Sequence, residues 1–425
     1  MTIRNLSRRK ALARLGAGAA LSLLPANTPF IQAQSASPIR IGFLKHATGR
    51  GAVYGRWFER TAAAALRLIN EAGGINGRPV EIIVEDDGTE PARAAALIEK
   101  CAVEHGCDVV FGTLFPDVVL AAAPRAGALK IPYFIVSETH RLASGALNRW
   151  TLQPGITDVR AQVTAVAPFL LERLGRKIAF VYSDDAFGRT HRDLVAAVMP
   201  EIGGEVIGQV AIPPDETRFA ARFSQIPRTA ELLYHAFVGS GASAFVSALG
   251  AYFDGQGPAL FGFIDGFEAV DLAGPGLAFL EGSYFWEGMP RFQQPGRLAY
   301  DRFFRAAVGV DENGASLLDP RKVATYAHMF GCWETLWVIK AGMEAARYQS
   351  PADRQRLVEA IEAMTDLAES RAHPQGPKRF NGKTHQVFGL HYVSQLRGGR
   401  LDLVHTAPIA AGRYPDAIDY TAMPF

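Results

Sequence analysis

From Pro38 onward the chain alternates short apolar runs with stretches of helical period. The run Ile39-Arg40-Ile41-Gly42-Phe43-Leu44 predicts a strand, and apolar residues at helical spacing predict a helix from about Val53 to Glu71. Gly73-Gly74 stops that helix, because a glycine takes the left-handed position after the last turn without strain. Asn76-Gly77 turns the chain into a strand over Val80 to Glu85. Pro91 to about Glu104 reads as an amphipathic helix with Ala94, Leu97, Ile98 and Cys101 on one face. A strand Cys107 to Phe111, a helix Asp117 to Ala128 and a strand Ile131 to Val136 complete a first unit. After the linking stretch 150–155, a second series has strands Lys177 to Tyr182, Glu205 to Ala211, Leu232 to Val238 and Pro258 to Phe263. Helices near 189–200, 216–226 and 241–254 lie between them. A strand Ser283 to Trp286 ends at Gly288-Met289-Pro290, and helices near 295–308, 321–347 and 352–365 follow. Two short strands, Val387 to Ser394 and Leu401 to His405, close the pattern. Such alternation predicts an α/β protein with parallel sheets covered on both faces, in two similar halves that the chain visits more than once.

The 425 residues suffice for two ordinary domains with full cores. An apolar content of 48% with 20% charge excludes disordered and fibrous classes. A net charge of +2 gives no electrostatic reason to expect nucleic acid as a partner. That charge changes once the first 37 residues are considered. They have a basic start, an apolar middle from about Ala11 to Leu24, small residues at the end and no acidic residue. Ser7-Arg8-Arg9-Lys10-Ala11-Leu12 resembles a twin-arginine export signal, so residues 1–37 are expected to be an export signal that is removed. The apolar run is short for a membrane span and diluted by Gly16 and Gly18; an uncleaved anchor is the alternative. Loss of the five basic residues leaves 39 basic and 42 acidic, a mildly acidic mature chain with no membrane insertion.

Three cysteines remain, Cys101, Cys107 and Cys332. An oxidising compartment permits a disulfide between the first two, but both positions read as buried, and two core thiols are the expectation. No Cys/His spacing suggests a metal site, and no cofactor is expected. Enzyme motifs are missing too: there is no HExxH, no GxxxxGK[ST], and Gly239-Ser240-Gly241-Ala242-Ser243 lacks the order of a nucleophile elbow. His46, His140, Glu138 and Asp117 suit an acid–base cluster in composition, but such residues are more often rim groups or helix caps. No catalytic residue is assigned.

In open parallel sheets ligands sit outside the C-terminal strand ends. Those positions hold Lys45, His46, Thr48 and Arg50, then Thr113, Phe115, Pro116 and Asp117, then Ser137, Glu138, Thr139, His140 and Arg141. In the second half they hold Asp184, Asp185 and Phe187, then Gly239 to Ser243, Asp265, and Trp286 with Glu287.

Ile41-Gly42, the run Glu71-Ala72-Gly73-Gly74-Ile75-Asn76-Gly77-Arg78-Pro79-Val80, and Glu85-Asp86-Asp87 with Pro91 form an ordered series. It continues through Tyr182-Ser183-Asp184-Asp185-Ala186-Phe187-Gly188-Arg189, Gly203-Gly204-Glu205-Val206, Gly376-Pro377 and Lys383-Thr384-His385-Gln386. This series resembles periplasmic solute-binding proteins of the type I fold, in the branched-chain amino acid and amide-binding (Leu/Ile/Val-binding-like) family of ABC transporters. The resemblance implies two Rossmann-like lobes joined by three crossovers, with residues 38–152 and 289–372 in the first and 153–288 and 373–425 in the second. It implies a periplasmic monomer that closes by hinge motion on a small solute and delivers it to the permease subunits of an ABC importer, with no chemistry on the solute. Two other readings stand beside it: a ligand sensor of the same fold acting on a signalling partner, and an α/β enzyme.

The family's ligand contacts carry over in part. Small hydroxyl residues usually stand where this chain has Phe115 and Pro116. Thr139 keeps the matching hydroxyl of the next loop, beside Ser137 and Glu138, while Phe187 stands in place of the usual second-lobe tyrosine. The usual acidic residue aligns near Ser243, without its charge, so a standard aliphatic α-amino acid is not expected. What remains is an aromatic set, Phe115, Phe187, Trp286 and Tyr54, with Thr113 as a hydroxyl and Lys45, His46, Arg50, His140 and Arg141 as basic groups. These residues suit a small organic acid or amide, its ring stacked and its anion near a basic group.

Overall fold

The computed structural model describes residues 37–238, 241–254, 256–263, 279–294, 296–324 and 326–425. The expected export signal lies outside the described residues. The first sheet is parallel throughout and contains β1 (Ile39–Lys45), β2 (Val80–Asp86), β3 (Val109–Gly112), β4 (Tyr133–Ile135) and β5 (Thr151–Leu152). Its order is β2-β1-β3-β4-β5, so the winding reverses between β1 and β3. Helices α1 (Ala52–Glu71), α2 (Pro91–Glu99) and α3 (Pro116–Ala128) connect these strands. Phe43 of β1 and Phe111 of β3 stack at 4.4 Å within the first core.

The second series opens with α4 (Val159–Arg173), which the apolar pattern did not predict, followed by β6 (Lys177–Ser183), α5 (Ala186–Glu201) and β7 (Glu205–Ile212). It continues with α6 (Ala220–Phe223), β8 (Leu232–Ala236), α7 (Ala242–Phe253), β9 (Ala259–Phe263) and β10 (Tyr284–Glu287). Strand alternation divides the burial: Ile178, Phe180 and Tyr182 of β6 face one core, Ala179 and Val181 the other. The expected helices near 295–308, 321–347 and 352–365 are shorter, α8 (Asp301–Val308), α9 (Tyr326–Ala345) and α10 (Arg354–Glu362). Three strands, β11 (Asp366–Leu367), β12 (Lys378–Asn381) and β13 (Gln386–Phe388), form a small antiparallel sheet. The single strand expected over Val387 to Ser394 is therefore two, the second being β14 (His391–Arg397), paired antiparallel with β15 (Arg400–Ala407). The second sheet has the order β15-β14-β10-β9-β8-β6-β7, and its winding reverses between β6 and β8.

Core membership locates the passages between lobes. Leu152 and Ile156 belong to the first core and Val159 to the second lobe; Trp286 belongs to the second and Met289 to the first; Val387 belongs to the first and Val393 to the second. A fourth passage follows, because Leu401 packs in the second lobe and Tyr420 in the first core. The segment 373–425, expected in the second lobe, thus divides: β14 and β15 extend the second sheet, while Phe380, Val387 and Tyr420 pack with the first lobe. Residues 409–414 still lie against α4, where Tyr414 meets Asp158 and Arg160, and the chain then reaches the first lobe at Tyr420, its amide on the Lys383 carbonyl at 2.7 Å and its hydroxyl on the Leu142 carbonyl at 2.8 Å.

The three cysteines are buried free thiols. Cys101 lies beneath β1, where a Cβ on Gly42 would stand 2.8 Å from its sulfur, and its hydrogen bond with Cys107, together with burial, pushes its pKa up. No helix among the described residues is long and apolar enough to cross a membrane. A glycine also sets how α1 meets β1: a Cβ on buried Gly55 would stand 1.9 Å from the His46 carbonyl oxygen. Gly55→Ala is expected to cost about 1–3 kcal/mol by forcing the helix off the loop. A urea midpoint unchanged from wild type would contradict that contact.

Candidate functional site

The two reversal points face each other across the cleft between the lobes, and residues at or just after the ends of β3, β4, β8 and β9 line it with others from α1, α5 and α9. The loop after β3 carries Gly112, at φ +113°, where a Cβ would meet the Leu44 carbonyl oxygen at 2.2 Å, and Thr113, at φ +68°. His46 pins this loop from below. Its Nε2 accepts the Leu114 N–H at 2.8 Å, so the proton sits on Nδ1 and is donated to Asp87 Oδ1 at 2.7 Å. With its amide held, the loop presents Leu114, Phe115 and Pro116 to the cleft. Thr113 is almost wholly buried and does not line the cavity. Asp117 is not a helix cap. It lies in the first turn of α3, where the helix dipole favours an acid, and takes the Arg50 guanidinium at 3.0 Å.

Between the lobes is a cavity lined by Tyr54, Leu114, Phe115, Pro116, Glu138 and His328 on one side and Phe187, Val238 and Phe263 on the other. The free space among them is about 20 Å³, room for about one ordered water. The rings meet edge to face: Tyr54 with Phe115 at 6.1 Å, Tyr54 with His328 at 6.4 Å, Phe187 with Phe263 at 5.6 Å. Glu138 is the carboxylate of this wall. Its Oε1 receives His328 Nε2 at 2.7 Å and Gln162 Nε2 at 2.5 Å, and its backbone carbonyl receives the Val159 N–H at 2.9 Å. Gln162 and Val159 belong to α4, so this acid joins the first lobe to the second. Arg50 makes a second link at the cleft mouth, from Asp117 to Asp185 Oδ2 at 2.6 Å, while stacking 4.3 Å from the Phe115 centroid.

Of the residues singled out in the sequence, Tyr54, Phe115, Glu138 and Phe187 meet at the cavity. Trp286 stands behind them, 5.3 Å from Phe263 and 5.4 Å from His328, its Nε1 donating to His391 Nδ1 at 3.2 Å. Ser137 and Thr139 turn their hydroxyls to the loop itself, accepting the Thr139 and Arg141 amides at 3.3 Å each. Lys45 pairs with Glu59, and His46 lies beneath the loop rather than in the cavity. His140 meets Asp158 at 2.6 Å, and Tyr414 bonds to the same carboxylate. Arg141 lies with Arg189 and Arg192 in a surface groove at the cleft edge. Gly239, Ser240 and Asp265 are outside the described residues, as is the side chain of Ser243. Sequence reasoning missed His328, Val238, Phe263 and Gln162. Val238 and Phe263 ended predicted strands and were readable as such; His328 and Gln162 rise from helices, which a search of strand ends passes over.

The chain belongs to the periplasmic binding protein family, whose model matches residues 38–400. It is 24% identical over 199 residues to Leu/Ile/Val-binding protein homolog 1 of Brucella melitensis, covering 44% of this chain and 50% of that protein. The chain thus spans about half the length of that relative. Leu/Ile/Val-binding protein homolog 6 of Brucella abortus is 21% identical over 382 residues, covering 89% of this chain and 92% of that protein. Among solved structures, a solute binding protein of an ABC transporter from Rhodopseudomonas palustris HaA2, in complex with p-hydroxybenzoic acid, superposes with a TM-score of 0.75. It shares 17% identity, covering 88% of this chain and 97% of that chain, a likeness of fold.

Proposed function

We propose that the protein is the extracytoplasmic solute-binding component of an ABC importer, taking a small organic solute with an aromatic or apolar body. The observation that carries this reading is the cavity at the two facing reversal points, walled by rings from both lobes. Space for one water does not hold a solute, so the lobes must part to admit it and close again around it. The Arg50 link from Asp117 to Asp185 is the contact that such parting breaks. Closure that removes water and leaves the solute unaltered is what delivery to permease subunits requires. The protein works as a monomer outside the cytoplasm, and its role is transport rather than catalysis.

A thermal-shift panel of aromatic carboxylates, aromatic amines, branched-chain amino acids and aliphatic amides tests this. An aromatic solute at about 100 times its Kd is expected to stabilise the protein by about 2.7 kcal/mol, with a clear rise in Tm. Stabilisation by leucine alone would overturn the aromatic reading.

A further inference from the structure

We infer that the polar end of the solute is a protonated amine and that Glu138 is its anchor. This inference rests on the solute-binding reading above. Among the described residues no lysine or arginine lines the cavity, and the carboxylate there is Glu138, which is 6% exposed. Glu138 Oε1 is taken by His328 and Gln162, while Oε2 makes no hydrogen bond among the described residues. Beside it the buried Oε1 of Gln162 also lacks a donor. A carboxylate oxygen without a donor in the wall of an aromatic cavity calls for an occupant that brings N–H groups.

The described cations near the cavity are committed elsewhere, and Arg141 lies in the edge groove rather than in the cavity lining. Arg50 is held by Asp117 at 3.0 Å and Asp185 at 2.6 Å, Lys45 by Glu59, and His140 by Asp158 at 2.6 Å. His46 has both nitrogens engaged, by Asp87 and the Leu114 amide. A carboxylate guest would find none of these groups unmatched and would meet the Glu138 oxygen as a like charge. An ammonium gains twice, from the carboxylate and from the negative ring faces of Tyr54, Phe115, Phe187 and Phe263. Where the sequence pattern suited a small organic acid or amide, the cavity wall suits an arylalkyl amine. Glu138 stands on the loop after β4, in the first lobe. It supplies the negative charge that the sequence lacks near Ser243.

The test is isothermal titration of the full chain with 2-phenylethylamine, 2-phenylethanol, phenylacetate and leucine, on wild type and on Glu138→Gln and Glu138→Asp. The expected order in wild type is amine tightest, with the alcohol and phenylacetate each weaker by about tenfold or more. Glu138→Gln is expected to weaken the amine by about tenfold while changing the alcohol less than about threefold; Glu138→Asp restores part of the loss. The alcohol reports whether the cavity of each variant is intact, and the wild-type order stands as a test if a variant does not fold. Phenylacetate binding tighter than the amine overturns the amine assignment and leaves solute binding in place. An amine affinity that Glu138→Gln leaves unchanged overturns Glu138 as the anchor. Failure of all four probes to bind wild type sinks both the assignment and the reading beneath it.

Discussion

Acidification from pH 7 to pH 4 is expected to unfold the protein cooperatively. His191, His235 and His391 are buried neutral, and burial pushes each from an ordinary value of 6.5 down to about 3. His235 adds to the effect on His191, and Lys378 to that on His391. In the unfolded chain all three take up protons near pH 6.5. The unfolded state therefore binds more protons in the window from 6.5 down to about 3. Stability is fully present above that window and is lost as pH falls through it. At pH 4 each histidine removes roughly 3 kcal/mol, and together they remove about 10, comparable with the whole stability of an ordinary protein. The local reason is visible at His391, whose Nδ1 accepts the Trp286 N–H and cannot do so once protonated. At His191 the ring instead shares a 2.7 Å bond with the Tyr234 hydroxyl. Carboxylates such as Glu85 and Glu362, held below their ordinary values by Lys100 and His105 and by Arg149 and His385 against the opposing effect of burial, lose stability in the same direction. Urea unfolding followed by circular dichroism at pH 7, 5.5 and 4.5 should give a falling midpoint. Equal midpoints at 7 and 4.5 would rule out neutral burial of these rings.

Lys378→Met is expected to lower the unfolding free energy by about 3–5 kcal/mol, because it strands a buried acid. Lys378 and Glu334 form an ion pair with side chains 1% and 0% exposed. The ammonium also donates to the Gly155 carbonyl at 2.6 Å and lies 4.6 Å from the Phe330 centroid. Burial lowers the Lys378 pKa, and the opposing carboxylate of Glu334 limits the fall. Glu334 keeps weaker contacts, the Gln375 amide and His373 Nδ1, both at 3.3 Å. Those do not replace a full charge, so the single change leaves an uncompensated carboxylate between α9 and the first passage. The double change Lys378→Met with Glu334→Leu removes both charges and is expected to recover most of the loss. Guanidinium unfolding of the two variants decides it: a single variant as stable as wild type would mean that the pair carries no net weight.

The strands were the most readable part of the sequence, because their apolar runs are short, β-branched or aromatic, and bounded by glycine and proline. Helix α4 was not readable. Val159, Ala161, Val163, Val166, Leu170 and Leu171 are buried with Gln162, which blurs the one-faced stripe, and Pro168 interrupts the span. The cavity was half legible. Tyr54, Phe115, Glu138 and Phe187 follow from strand ends and from the family's pattern, but Lys45 and His46 follow from them equally well. What separates the two groups is the partner each finds in space, Glu59 for Lys45 and Asp87 for His46, at 14 and 41 residues' remove. His328 shows the opposite failure: it comes from the first turn of α9, 190 residues from the Glu138 it touches.

The fourth passage of the chain sets a condition on how the first lobe folds. Arg149 stacks 3.8 Å from Phe425 and donates to the Met423 carbonyl at 2.7 Å, and Trp150 meets Phe425 at 5.0 Å. Together with Tyr420 on Leu142, these contacts join residues more than 270 positions apart. Contacts of that separation carry a large loop-closure entropy and slow the search for the native state. The second lobe needs residues 159–286 and the β14–β15 hairpin, whereas the first waits until residues 418–425 have been made. During synthesis the later-encoded lobe is thus the first able to finish, and a shortened chain ending at Ala407 would complete the second sheet while leaving the first core open.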